Sequence, residues 1–208
     1  MSPPSLKETL TSERLFSLDG AKLASYNSRV SPKFQLRPEL GPSAYEGDID
    51  FAPVILLLAN PGFDDEDSTL DDHRFQRDGW PLSGLHPDAP PGLRSWWRGR
   101  LNHLIVQFGA QRVSQCVACI QITPWASPKF DDGLCLPSRD LLLDAANQCA
   151  ARGAVMLVMR AERLWLQAEA LRTTPLRFRV NSWLSSYVSP GNLPEIAWRR
   201  VVEAVRDA

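Results

Sequence analysis

Three short, unbroken apolar runs constrain this chain more than anything else in it: residues 51–60 (FAPVILLLAN), 116–122 (CVACIQI) and 154–159 (AVMLVM). A strand with one wet face alternates polar and apolar side chains, whereas a strand covered on both faces reads as continuous hydrophobe. None of the runs can span a membrane, which takes about 20 apolar residues. Segments with helical spacing separate them. A weak pattern covers 15–26. Trp97, Leu101, Leu104, Ile105 and Phe108 form an apolar stripe that Gly109 is placed to end. Ser138 is placed to cap a helix whose stripe includes Leu141, Leu142, Ala145 and Cys149, with Gly153 as its stop. A helix over 162–171, a short Arg-alternating strand at 176–180 near a sheet edge, and a helix from 194 to 205 complete the pattern. Buried strands alternating with helices predict an α/β protein: a three-layer α/β/α domain with a mainly parallel central sheet. At 208 residues one such domain is expected, over 51–208, with residues 1–50 a helical or irregular segment packed on the core.

Charge and cysteine usage narrow the function classes. With 23 Lys+Arg against 24 Asp+Glu the formal net charge is −1, which excludes gripping nucleic acid by bulk electrostatics and leaves room for a local basic groove. The N-terminus carries no charged-then-apolar leader, so a cytoplasmic chain with no membrane partner is expected. Cys116 and Cys119 form a C-x-x-C, with Cys135 and Cys149 downstream. Four thiolates can bind zinc or an iron–sulfur cluster, but a metal knuckle needs two tight pairs and this chain has one. The cysteines therefore read as small buried hydrophobes, and no metal site is expected. His73, His86 and His103 have no ligand-spaced partners. The acidic run Asp64-Asp65-Glu66-Asp67, with Asp71 and Asp72, reads as a solvated face without the spacing of a calcium loop. It lies in a segment, 63–95, too long for a passive connection and expected to form an ordered cover over a site, with Phe75, Trp80, Leu82 and Leu85 to pack it.

In a parallel sheet, ligands bind beyond the carboxyl ends of the strands. Three loops there carry unusual residues. Asn60-Pro61-Gly62 is either a stiff turn or a polar ligand contact, Asn offering both an acceptor and a donor on a short stem. Gln121, in Gln121-Ile122-Thr123-Pro124-Trp125, is costly to bury unless its amide is paired, either with a neighbouring backbone or with the edge of a nucleobase. Tyr187-Val188-Ser189-Pro190-Gly191-Asn192 precedes the last helix and is either a cap with Pro-Gly turn chemistry or an anion site.

Taken in order over residues 51–200, these loops resemble the uracil-DNA glycosylase superfamily, nearest in pattern to its single-strand-selective monofunctional and mismatch-specific branches. Leu58-Ala59-Asn60-Pro61-Gly62 is similar to the G-x-N-P-G loop, Gly79-Trp80-Pro81-Leu82 to G-V-P-F, Gln121-Ile122-Thr123-Pro124 to N-L-C-P, and Ser189-Pro190-Gly191-Asn192 to the latter half of H-P-S-P-x-N. The chain departs from the pattern at Tyr187, where the branch has His, at Leu82, where it has Phe, at Gln121 for Asn, and at Ala59.

The resemblance implies a glycosylase-like fold and hydrolysis of the N-glycosidic bond of a flipped uracil or related deaminated base, as in base excision repair. Asn60 would position the attacking water, and Tyr187 would stabilise charge on the departing base. Gly62, Trp80, Leu82 and Gln121 would hold the base, while Ser189, Gly191 and Asn192 would meet the DNA phosphate. Such a protein acts as a monomer on DNA containing a damaged base and needs no metal or organic cofactor. Two other functions fit the same loops: a non-catalytic module binding a nucleotide or a protein, and an N-glycosidase of free nucleosides or nucleotides.

Overall fold

The computed structural model describes residues 4–62, 75–182 and 185–208. The acidic run at 64–72 and His73 lie outside them. Five strands form one sheet in the order β1-β3-β2-β4-β5, with β1 at Tyr45–Glu46, β2 at Val54–Leu58, β3 at Val117–Gln121, β4 at Val155–Val158 and β5 at Arg177–Arg179. All neighbours pair parallel except β1, which runs antiparallel to β3. The three apolar runs are β2, β3 and β4, the centre of the sheet and buried at every position. The Arg-alternating segment is β5, at an edge as its composition requires.

Period two in the strands divides the core. Ile55, Leu57, Ala118, Ile120, Met156 and Val158 face one layer. That layer contains α1 (Leu6–Thr9), α2 (Ser12–Asn27), α5 (Arg139–Ala151), α6 (Glu162–Trp165) and α7 (Glu169–Thr173). Val54, Leu56, Leu58, Val117, Cys119, Val155 and Leu157 face the other, formed by α3 (Pro91–Phe108), α4 (Ala110–Cys116) and α8 (Glu195–Asp207). The architecture is therefore three-layer α/β/α. No helix among the described residues is long and apolar enough to cross a membrane.

Several local expectations shift. The helix expected to start near Trp97 begins at Pro91, whose ring suits a first-turn position. After Gly109 turns the chain at φ 81°, a second helix, α4, follows at once. The helix expected over 162–171 is two short ones. Ser138 precedes α5, but its hydroxyl donates to the buried Asp19 at 2.6 Å rather than capping the helix. Asp19 also accepts from the Ser138 N–H at 2.9 Å and from Trp125 Nε1 at 2.7 Å, which joins α2 to the loop after β3. Cys116 and Cys119 lie in one apolar cluster and Cys149 in the other, each as a small hydrophobe; Cys135 is exposed.

Residues 4–50 pack on the core, as expected, and extend the sheet. Leu6, Leu10, Leu15, Leu23, Tyr26 and Leu36 are buried in the core, and the segment supplies a strand. Arg152 clamps its junction with β2, donating to the carbonyls of Ile49, Asp50 and Ala52 at 2.8–3.0 Å.

Candidate active site

The chain leaves β2 through α3 and α4 on one face to reach β3, then returns through α5 on the opposite face to β4, on the other side of β2. Connections that diverge in this way open a crevice at the carboxyl end of the shared strand. Asn60 stands there, and it lines two cavities, of about 850 and 680 Å³.

The larger cavity is a cleft whose wall is set by sheet register. Gln121 ends β3 opposite Leu58, and its N–H continues the edge pairing by donating to the Ala44 carbonyl at 2.9 Å. Glu46 lies opposite Cys119 on the other side of β3. Directly opposed and alternate residues share a sheet face, so Glu46, Cys119 and Gln121 all face the α3 layer. Glu46 and Gln121 are diagonal neighbours, a relation that separates such positions by about 7–8 Å. Both line the cleft together with Asn60, Pro61, Gly62, Trp96 and Trp97.

Each polar group here has a distinct state. Gln121 is buried, 4% exposed, and its Oε1 has no hydrogen-bond partner. A buried carbonyl left unpaired costs roughly 1–3 kcal/mol, and turning the amide over offers a donor in its place. Glu46 accepts from Trp97 Nε1 at 2.9 Å. Burial lifts its carboxyl to about 7, and the Trp97 hydrogen bond opposes only part of that rise. Trp97 in turn fits only because residue 84 is glycine, since a Cβ there would lie 2.2 Å from its Cδ1. Asn60 is tied back by its amide, which donates to Ser127 Oγ at 2.9 Å, to the Ser127 carbonyl at 3.2 Å and to the Pro61 carbonyl at 2.9 Å. Its NH₂ is consumed and its rotamer fixed, which leaves Oδ1 as the group available to a ligand or water.

Asn60, Gly62 and Gln121 thus meet in one cleft, as the sequence reading expects. The other candidates do not join them. Leu82 is wholly buried in the α3 layer, where its N–H donates to Ser114 Oγ, so it is core and has no surface to offer a base. Trp80 packs edge-on against His86 at 5.1 Å; its neighbour Pro81, rather than Trp80 itself, reaches the cleft. Tyr187 is exposed and lies over α3 beside Gly99, outside both cavities.

Asn192 is buried and spends its side chain on its own loop. Its amide donates to the carbonyls of Ser185 and Tyr187, and its Oδ1 accepts from the Ser182 N–H. The Ser189 carbonyl accepts from the N–H groups of Asn192 and Leu193, and Gly191 is exposed. The helix starts only at Glu195, behind Pro194, with an acid in its first turn. Residues 189–192 therefore form a stapled turn rather than a phosphate cradle.

Two groups escaped the sequence reading. Glu46 sits in a stretch with no periodic pattern, and only its position just before Gly47 marks it. Trp96 lines both cavities, meets Trp97 edge-on at 4.6 Å and carries the Arg100 guanidinium 3.8 Å from its ring centre. The paired tryptophans were the available signal: both line the cleft, and Trp97 is also part of the core. Among the described residues no group of three His, Cys, Asp or Glu gathers as a metal site. Comparison with family models, with curated proteins and with solved structures finds no match to this chain.

Proposed function

We propose that the cleft hydrolyses the N-glycosidic bond of a uracil or related deaminated base, taken from DNA by flipping. The observation that carries this reading is the unpaired Oε1 of buried Gln121, in a wall shared with Asn60 and Glu46. A ring edge with adjacent N–H and C=O groups satisfies a fixed amide, and uracil presents such an edge. The cleft volume falls within the usual range for small-ligand pockets. Trp96 supplies a π face for the base.

Asn60 Oδ1 orients a water at the anomeric carbon. As the water oxygen bonds to that carbon, the carbon–nitrogen bond breaks and its electron pair leaves with the base. Glu46 takes the proton the water sheds. A carboxyl at about 7 suits a base working near neutrality. Because it acts ionised, the rate rises with pH and levels off above about 7. Tyr187 has no part in these steps, since it lies outside the cleft.

Incubation of the chain with a uracil-containing single-stranded oligonucleotide, followed by alkali, tests the reading. Strand breaks lost in both Asn60→Ala and Glu46→Gln are expected. No released base from any deaminated oligonucleotide would refute it. A second reading, hydrolysis of a free nucleotide, is favoured by one observation: Lys7, Leu10, Thr11 and Ser12 of the N-terminal segment also line the cleft. Base release from nucleotides but not from DNA would establish that alternative.

A further inference from the structure

The second cavity, of about 680 Å³, adjoins the first through Asn60, Gly62 and Trp96, which line both. It lies over the carboxyl ends of β2, β4 and β5, and cations outnumber acids in its lining: Arg100, Lys129, Arg160 and Arg179 against Asp132 and Glu162. The two acids are already matched. Glu162 pairs with Arg179 at 3.0 Å, and Asp132 pairs with Arg163 at 3.4 Å. Among the described residues Arg100, Lys129 and Arg160 have no carboxylate partner.

Their other contacts hold them in place without neutralising them. Arg100 lies over Trp96 and donates from Nη1 to the Trp96 carbonyl at 3.1 Å, yet its buried Nε has no acceptor. Arg160 donates from Nε to Ser186 Oγ at 3.3 Å. Lys129 is exposed at the rim. Three cations from three separate elements therefore converge on one space, and burial lowers the proton affinity of Arg100, with Tyr187 opposing that shift and the charge of Arg160 adding to it. A tetrahedral oxyanion can accept from several directions at once, and guanidinium groups match its oxygens geometrically.

We propose that this basic cavity binds a phosphate group of the nucleotide whose base enters the neighbouring cleft, an inference that rests on the glycosidase reading above. Asn60 and Gly62 mark the point where base and phosphate part company. The phosphate can belong to a DNA backbone or to a free nucleotide. The site replaces the 189–192 turn as the phosphate contact, and it uses a cluster split across α3, the loop after β3 and the end of β4.

The test is a titration of the full chain and of its Arg160→Gln, Lys129→Gln and Arg100→Gln variants, with folding checked by circular dichroism. The probes are inorganic phosphate, deoxyuridine monophosphate, a uracil-containing single-stranded oligonucleotide, and deoxyuridine as the phosphate-free control. Each lost cation is expected to weaken the phosphate-bearing probes about tenfold and to leave deoxyuridine unchanged. For the oligonucleotide, the slope of log affinity against log salt falls by about 0.7 per contact removed. Weakening confined to the oligonucleotide assigns the phosphate to DNA, and weakening confined to the monophosphate assigns it to a free nucleotide. Unchanged affinity for every probe overturns the proposal, even if the wild-type chain releases uracil. Cation-dependent binding without any base release would instead refute the glycosidase reading and leave the phosphate site standing.

Discussion

Replacing Glu46 by Gln tests the cleft through stability rather than activity. The carboxyl is raised from 4.5 to about 7 because burial disfavours its charge. The folded chain therefore holds this proton more tightly than the unfolded chain, so Glu46 contributes stability below about 4.5 that is lost as pH rises through about 7. At about 1.36 kcal/mol per pH unit, the loss reaches about 3 kcal/mol. That figure is an upper bound, because one side of the carboxyl opens to the cleft. Gln keeps the shape and an oxygen for Trp97 Nε1 but cannot ionise.

Thermal unfolding of the two proteins should then coincide near pH 4.5, separate up to about pH 7 and keep a constant gap above it, with Glu46→Gln the more stable by about 3 kcal/mol. For a chain of this size that is a Tm difference of roughly 6–12 °C. Every other titrating group is common to both proteins and cancels in the difference. Parallel Tm curves across that pH range would mean that Glu46 ionises like a surface carboxyl, and the argument that it serves as a base near neutrality would fall with it. Since the same substitution should abolish base release, a variant both more stable and inactive is the expected signature of a site that gives up stability for function.

Two other substitutions probe the neighbours. Gln121→Met removes the unpaired carbonyl at similar volume; it should stabilise the fold by about 1–2 kcal/mol in urea titrations while base release is lost, and a destabilised variant would show that the amide is paired after all. Asp19→Ala strips three donors of their acceptor and should cost about 3 kcal/mol, read as a Tm fall of roughly 6–12 °C; a fall under about 2 °C would mean the network carries no net stability.

The sheet was legible because runs such as Val-Ile-Leu-Leu-Leu cannot face water on alternate positions and are too short, between their Pro and Gly flanks, for buried helices. The carboxyl-end rule then brings Asn60 and Gln121 to one cleft, since both follow immediately from where those strands stop. Tyr187 and Asn192 failed because their motif fixes only the local turn. Whether a hydroxyl reaches the cleft depends on how α3 packs beneath it, which no five-residue pattern encodes. Leu82 failed for the opposite reason, since a leucine in a polar stretch reads equally as a cover or as core, and hydrophobicity alone favours the core. Glu46 was invisible because a two-residue edge strand has no period to detect, and its raised proton affinity comes from burial, which only the folded chain creates.

That edge strand makes Gly47 a sharper test of the site than any residue in the cleft. Gly47 follows Glu46 at φ 88°, and a Cβ there would lie 2.7 Å from both the Ala118 Cα and the Val117 carbonyl oxygen. An L-residue strains that conformation by roughly 1–2 kcal/mol, and the obstruction is backbone that cannot rotate away. β3 is held to β2 by five parallel residue pairs, whereas β1 holds to β3 by only two. Relief therefore comes from peeling β1 outward, which carries Glu46 off Trp97 into water. Gly47→Ala should lose base release as fully as Glu46→Gln and should expose the Gln121 amide, which donates to Ala44, to faster hydrogen exchange. It should also abolish the pH-dependent stability difference on adding Glu46→Gln, because a solvated carboxyl ionises alike in both states. A Gly47→Ala protein that kept that difference and its activity would show that Glu46 is held by something other than this edge.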